Sequence, residues 1–128
     1  MRVALDTNIV SAHLRGDRRV GDQILANPNL SLPVTVLGEL YYGAHHTEHW
    51  DRQLRRIEAF LPLAQILPVT DEIAERYGRL KAVLASQGSL IPENDLWIAA
   101  SCLVNDLTLA SRDAHFEKVE ALRIVRWE

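Results

Sequence analysis

The chain has 128 residues, of which 48% are apolar and 24% are charged, and its formal net charge at pH 7 is −3. This is the composition of an ordinary globular protein, and it excludes an intrinsically disordered chain. The length predicts a single domain over residues 1–128.

The chain carries one cysteine, Cys102, which excludes an intramolecular disulfide. Cys102 lies in an apolar helical run, where a role in the core is expected. The residues after Met1 are too briefly apolar for a signal peptide. No run approaches the ~18 apolar residues that a membrane-spanning helix needs. We therefore expect a soluble cytoplasmic protein with no membrane partner.

The first half of the chain alternates short apolar strands with pairs of helices. A buried strand is predicted over Val3–Leu5, followed by a short helix and by a second helix that Asp17 caps. A second strand is predicted over residues 30–36. It leads into a helix from about 36 to 42 that ends near Gly43.

The second half continues the alternation and closes on two strands. Helices are predicted over about 50–61, from Thr70 to Gly88, and over about 94–105; strands are predicted over 66–69, 107–110 and 122–127. The resulting order is β-α-α-β-α-α-β-α-α-β-β. Short apolar strands that alternate with helices predict a three-layer α/β/α fold with a mostly parallel central sheet.

Four carboxylates stand beside apolar sequence in this scheme. Asp6 ends the first strand, Asp113 closely follows the strand over 107–110, and Asp95 opens an apolar helix. Glu39 lies inside a short apolar helix with no basic residue within four positions. Ligands of open parallel sheets bind beyond the carboxyl ends of the strands, where these acids are expected to meet.

Each acid also has a purely structural interpretation. Asp6 and Asp113 could cap the turns that follow them, and Asp95 could be an acid of the first helical turn that the helix dipole favours. Glu39 is the hardest to explain in this way, since glutamate is rarely buried without a partner. A cation would neutralise the four together, and carboxylate oxygens suit Mg²⁺ or Mn²⁺. If four of the 17 acids are gathered there, the other 13 face 14 Lys and Arg, so the net charge does not exclude a nucleic-acid partner.

The order and spacing of these motifs resemble the PIN-domain family over the whole chain. The matching segments are LDTN at residues 5–8, TVLGELYYG at 35–43, NDLWIAA at 94–100, LASRDAHF at 109–116 and LRIVRW at 122–127. Each motif is weak alone, but the first four of these segments in register are strong, and the ending is also typical. The compact length and the ELYYG form are most similar to the VapC toxins of type II toxin–antitoxin pairs.

The resemblance implies a Mg²⁺-dependent endoribonuclease, with Mn²⁺ as a substitute, whose cut leaves a 5′-phosphate and a 3′-hydroxyl. Asp6, Glu39, Asp95 and Asp113 match the family's acidic quartet, with Asp6 and Asp95 at its firmest metal-ligand positions and Asp113 at its most variable one. Thr7 and Ser111 match polar neighbours that help to orient the site. The resemblance also implies an RNA substrate (tRNA, rRNA or mRNA), a homodimer, and a VapB-like antitoxin whose tail places a basic residue among the acids.

Arg112 and Lys118 are close in sequence to Asp113 and are the predicted phosphate-steering residues, although surface solvation would explain either alone. His45, His46 and His49 form a local cluster that favours a surface role over a zinc site. The three tryptophans are expected to be packing residues.

Three other functions compete with a toxin nuclease. A phosphatase of the haloacid dehalogenase type would need a second aspartate two positions after Asp6, where Asn8 stands. A PIN nuclease for RNA processing outside a toxin system, and a PIN-like module that binds without cleaving, both share the fold. The presence of all four acids disfavours the non-catalytic module.

Overall fold

The computed structural model describes residues 1–128 and contains five strands and six α-helices in the predicted order. The strands are β1 Val3–Leu5, β2 Leu30–Pro33, β3 Gln65–Leu67, β4 Thr108–Ala110 and β5 Ile124–Val125. The helices are α1 Thr7–Leu14, α2 Arg18–Ala26, α3 Val34–His45, α4 Trp50–Phe60, α5 Asp71–Ser86 and α6 Glu93–Asn105. Two short 3₁₀ helices, Leu61–Leu63 and Ala114–Lys118, precede β3 and β5.

The five strands form one sheet in the order β3-β2-β1-β4-β5, and every pair is parallel. The predicted α/β class is therefore confirmed, and the mostly parallel sheet is parallel throughout. Strand β1 is the central one, and all three of its residues are fully buried. Such a strand has an apolar face on both sides because helices cover both faces of the sheet.

The strand order places a topological switch point beside β1. The chain moves outward from β1 to β2 and β3, then crosses back to β4 on the other side of β1. Because parallel crossovers are right-handed, the two directions put their helices on opposite faces of the sheet. A crevice therefore opens at the carboxyl ends of β1 and β4, where such folds bind ligands.

The boundaries of four predicted elements differ from those of the structure. Strand β2 stops at Pro33 rather than running to residue 36, because a proline has no N–H to extend a ladder and α3 begins at once after it. Helix α3 does not end near Gly43 but continues to His45, since Ala44 is buried against the core. The strands predicted over 66–69 and 122–127 are shorter, at Gln65–Leu67 and Ile124–Val125.

The core is built from β1, β2 and β4 and from the inward faces of the helices. Ile9 and Val10 of α1, and Ile98 and Ala99 of α6, are fully buried in it. Helices α5 and α6 pack against each other, and α3 contacts both α1 and α6. None of the helices is long and apolar enough to span a membrane.

Candidate active site

Asp6 directly follows the central strand β1 and is the N-cap residue of α1. It is 5% exposed, and the Thr7 N–H donates to its Oδ1 at 2.8 Å. Burial raises the pKa of Asp6, the hydrogen bonds from Ser111 and Thr7 oppose that rise, and the charge of Asp113 adds to it. Asp6 therefore caps its helix as the structural interpretation predicts, and it also faces a second carboxylate.

Ser111 connects the two strands that border the crevice. Its hydroxyl, which is fully buried, donates to Asp6 Oδ2 at 2.6 Å and accepts from the Asp113 N–H at 3.0 Å. Asp113 then caps the 3₁₀ helix after β4, where its Oδ1 accepts from the His115 N–H at 2.9 Å. One side chain thus fixes the spacing between Asp6 and Asp113, which are 107 positions apart in the chain.

Asp95 lies in the first turn of α6, but it does not cap that helix. The residue at the N-cap position is Pro92, with no side-chain capping bond, and the Asp95 Oδ2 lies instead 3.2 Å from His115 Nδ1. The Asp95 side chain is 13% exposed. Burial, followed by the charges of Asp113 and Asp6, raises its pKa to about 6, against a smaller opposing effect of His115. The carboxylate is therefore directed into the crevice.

Glu39 reaches the same crevice from the middle of α3. Its Oε1 and the Thr7 Oγ1 are both buried and neither forms a hydrogen bond. Burial raises the pKa of Glu39, with contributions from the charges of Asp6 and Asp95, while the nearby Thr7 hydroxyl acts in the opposite direction. An unpaired buried carboxylate oxygen is costly and indicates a missing cationic or hydrogen-bonding partner.

All four predicted acids therefore meet at the carboxyl edge of the sheet. Each of the four acids is coupled by charge to at least two of the others. Either its charge raises their pKa values, or their charges raise its own pKa. No lysine or arginine forms an ion pair with any of the four. The chain therefore supplies no permanently charged cation to the cluster.

His115 joins this cluster, and the sequence analysis missed it. Its Nδ1 is 3.0 Å from Asp113 Oδ1 and 3.2 Å from Asp95 Oδ2, and one ligand atom from each of the three residues lies within 4.8 Å of the others. Adjacent ligands of a six-coordinate ion held at about 2.1 Å are about 3.0 Å apart, so these spacings suit ligands of one metal. The only sign of His115 in the sequence is that a histidine, a residue type that often binds metals, stands two positions after Asp113.

A PIN-domain family model matches residues 3–122, which is nearly the whole chain. The ribonuclease VapC2 of Haemophilus influenzae is 37% identical to this chain, over 99% of this chain and 98% of that protein. The chain belongs to the PIN-domain family, as a VapC-type toxin ribonuclease.

Two further comparisons extend this relationship. The tRNA(fMet)-specific endonuclease VapC of Shigella flexneri is 28% identical over 99% of this chain and 98% of that protein. The structure of VapBC-1 from nontypeable Haemophilus influenzae superposes with a TM-score of 0.88 at 26% identity, covering 99% of this chain and 98% of that one. The VapC-type chain is therefore matched over its full fold, beyond the acidic motifs alone.

Arg112 of the VapC-type chain contacts protein groups. Its Nη2 donates to the Trp127 carbonyl at 2.9 Å and to Asp17 Oδ2 at 3.3 Å, and its backbone N–H donates to Asn8 Oδ1 at 3.4 Å. These contacts tie the turn after β4 to the start of α2 and to the end of the chain. A phosphate-steering role for Arg112 stays a prediction, as does that of Lys118.

Other residues singled out in the sequence have structural surroundings. Cys102 is fully buried, which confirms the expected core role, and burial raises the pKa of its thiol to about 12. His45, His46 and His49 do not form a set of three converging ligands. Trp127 is buried and the Trp97 ring stacks on Tyr77 at 3.9 Å, but Trp50 is 51% exposed, so the expected packing role is wrong for Trp50.

Replacement of Ser111 by alanine is expected to destabilise the VapC-type chain by about 1 to 2 kcal/mol, since it removes two hydrogen bonds at a buried position. The change should also misplace Asp6 relative to Asp113 and weaken metal binding. Chemical denaturation with and without Mg²⁺ measures both effects. Ser31→Ala is the matched control, because Ser31 is a buried serine in β2. Equal losses in the two variants would contradict a bridging role for Ser111.

Proposed function

We propose that this VapC-type chain hydrolyses RNA phosphodiester bonds with Mg²⁺ and that Mn²⁺ can substitute. Asp6, Glu39, Asp95 and Asp113 would hold the metal. The observation that carries the proposal is the convergence of four carboxylates with no lysine or arginine paired to them. Removing four mutually repelling acids from water without a cation would be very costly.

The residues present fit a hard divalent cation. The donors are oxygens from carboxylates, with one histidine nitrogen at the rim, and such a set suits Mg²⁺ or Mn²⁺ rather than a soft metal. The buried, unpaired Glu39 Oε1 supports the same conclusion, because a ligand would remove its desolvation cost. His115 favours Mn²⁺ over Mg²⁺ when both are supplied, since imidazole is a better ligand for the more polarisable ion.

In the proposed reaction the carboxylates position the metal and do not act as nucleophiles. A metal held by these residues would supply an activated water and would neutralise charge on the phosphate. Ser111 and the Thr7 N–H orient the two oxygens of Asp6, so that this ligand is presented in one conformation. Helix α6 holds Asp95 on a regular element, which fixes a ligand more accurately than a loop does. The expected products carry a 5′-phosphate and a 3′-hydroxyl.

The proposed substrate is a structured cellular RNA, and the proposed inhibitor is a VapB-like antitoxin. A tRNA is the first candidate substrate, since the name of the Shigella flexneri relative specifies a tRNA. The Haemophilus influenzae structure contains a VapBC complex, which supports an antitoxin partner for this chain. A basic side chain from such a partner would neutralise the acidic cluster and exclude the metal. The unpaired bases of tRNA and rRNA loops suit recognition by a protein cleft.

The proposal is tested by incubating the purified protein with a mixed tRNA and rRNA pool at millimolar Mg²⁺. Discrete fragments with 5′-phosphates should appear, and EDTA should prevent their formation. Ligation-based sequencing, which requires a 5′-phosphate on the fragment, identifies the ends and the site. Fragments that form equally in EDTA, or that carry a 2′,3′-cyclic phosphate, would contradict metal-dependent hydrolysis.

We also propose that the chain forms a homodimer. The proposal rests on the resemblance to the VapC toxins, because the large exposed apolar side chains lie on five different elements and do not define one surface; these include Leu25, Tyr42, Trp50, Ile66 and Val83. Sedimentation velocity at micromolar concentration should give the mass of two chains. A monomer that retains cleavage activity would show that dimerisation is not part of the function.

A further inference from the structure

A cavity of about 400 Å³ leads away from the acidic cluster between α1, α3 and α4. Thr7 and Glu39 form its inner end, and Arg15 and Arg56 lie further along it. We call this cavity the arginine groove. Arg15 follows Thr7 by eight residues along α1, a rise of about 12 Å, so the groove extends well beyond the acids themselves.

The charges of the groove are unbalanced at its outer end. Arg15 at the end of α1 and Arg56 on α4 line both this groove and the neighbouring cavity, so the two guanidinium groups belong to one surface. Neither forms an ion pair, whereas Arg55 on the same helix pairs with Asp51. The only acid that lines the groove is Glu39, at the opposite end. Arg15 and Arg56 are both exposed and have no counter-ion in the chain, so each is free to bind an anion in the groove.

Gly43 leaves room for a ligand against α3. It lies inside α3 and lines the groove, and a Cβ at this position would meet no atom of the chain within 4 Å. Gly38 and Gly78 are equally open, so this space is common to the exposed helical glycines of the chain. At Gly43 the space lets a ligand in the groove approach the helix backbone closely.

We propose that the arginine groove holds the RNA strand next to the cleavage site, with Arg15 and Arg56 binding a phosphate that flanks the scissile one. This inference rests on the proposed function. A ligand that spans the groove meets a metal cation at the acidic end and two guanidinium groups at the other. A polyanion is complementary to both ends, whereas a peptide segment would need a basic group for the acids and an acidic group for the arginines.

The wall between the two ends suits a nucleotide. Ser11, Thr47 and Gln53 supply hydroxyl and amide groups that can bond to a ribose or a base edge. Leu14, Leu40 and Ile57 supply an apolar surface on which a base can lie. Recognition of the strand beside the cut would therefore combine phosphate binding at the arginines with shape and hydrogen bonding along the groove.

The test is the salt dependence of RNA binding, measured by fluorescence anisotropy with a labelled single-stranded RNA of roughly 12 nucleotides. All proteins carry Asp95→Asn, so that the RNA stays intact, and Mg²⁺ is held constant. For single strands, log K falls against log salt with a slope of about −0.7 for each phosphate contact. The double variant Arg15→Gln/Arg56→Gln removes one phosphate contact, so it should reduce the magnitude of the slope by about 0.7 and weaken binding at low salt.

The matched control is Arg18→Gln/Arg19→Gln, which removes the same charge from two exposed arginines of α2 that line none of these cavities. It should leave the slope within error of the parent. An unchanged slope in Arg15→Gln/Arg56→Gln, or equal reductions in both double variants, would overturn the groove assignment, and a protein segment would become its candidate occupant. Wild-type protein that neither binds nor cuts RNA would instead overturn the proposed function as well.

A second pair of variants separates the groove from general stability. Gly78 in α5 is a helical glycine with equally open space around it, but it does not line the groove. Gly43→Leu and Gly78→Leu should both raise the melting temperature, because leucine is the better helix former. Only Gly43→Leu should weaken RNA binding, by severalfold or more. Unimpaired binding in Gly43→Leu would show that the strand does not approach α3.

Discussion

Replacement of Asp95 by asparagine is expected to abolish RNA cleavage while leaving the fold intact. The substitution keeps the size of the side chain but removes a charge from a ligand that makes no capping bond to its own helix. A hard divalent ion loses much of its binding energy with that charge. We expect cleavage of a tRNA and rRNA pool to fall by about two orders of magnitude or more, in line with the loss of a group that stabilises transition-state charge. Circular dichroism is the fold control.

The other acids should follow a graded order in the same assay. Asp6→Asn should be as damaging as Asp95→Asn, and Glu39→Gln nearly so, because the Glu39 Oε1 has no structural partner to lose. Asp113→Asn should be the mildest, since Asp113 is the most exposed of the three aspartates and a water can replace it. Asp22→Asn on the exposed face of α2 is the matched control and should cleave normally. If folded Asp95→Asn protein cleaves RNA at the wild-type rate, Asp95 has only a structural role.

The second large effect expected is on stability, where metal and pH act on the same carboxylates. The pKa of Asp95 is raised from an ordinary value of 3.8 to about 6 in the folded protein. Between these values the folded state binds more protons than the unfolded state, so this group makes the protein less stable as pH rises, and the loss is complete above about pH 6. Two pKa units correspond to about 3 kcal/mol, which partial exposure and relaxation reduce to about 1 to 2 kcal/mol.

Asp95→Asn should therefore raise the melting temperature of metal-free protein at pH 8 and change it little at pH 5. Added Mg²⁺ or Mn²⁺ at a hundred times its dissociation constant should stabilise wild-type protein at pH 8 by about 2.7 kcal/mol, or about 10 °C. Asp6→Asn should blunt that rise. If metal raises the melting temperature of Asp6→Asn as much as that of wild type, Asp6 is not a metal ligand. If metal has no effect on the melting temperature of wild type, the proposed metal site is wrong.

The order of elements and the meeting of the four acids could be predicted because both depend on local signals. Short apolar strands alternate with amphipathic helices in the sequence, and parallel strands gather their carboxyl ends at one edge. Asp6 and Asp113 follow their strands closely, so their convergence follows from the topology alone. The end of β2 also has a local cause, since Pro33 cannot extend a ladder, and the prediction to residue 36 gave that signal too little weight. The extension of α3 past Gly43 could not be predicted in this way, because burial of Ala44 outweighs the low helix propensity of glycine.

The contacts between distant parts of the chain could not be predicted from local sequence signals. His115 meets Asp95 because a 3₁₀ turn after β4 faces the first turn of α6, and no periodicity in the sequence encodes that orientation. Arg112 donates hydrogen bonds to Asp17 and to the Trp127 carbonyl, which are 95 and 15 positions away. Trp50 is exposed although it continues the apolar spacing of α4, because it is the first residue of the helix and stacks on His45 rather than on the core that holds Ile57 and Phe60.

The bond between Ser111 and Asp6 has a consequence for the order in which the protein is made. Asp6 leaves the ribosome long before Ser111, which follows it by 105 positions. Strand β4, which aligns Ser111 and Asp113 against β1, begins at Thr108. A nascent chain therefore lacks an assembled acidic cluster until β4 has left the ribosome. The activity proposed for the chain would be absent while β1 to α6 are being made.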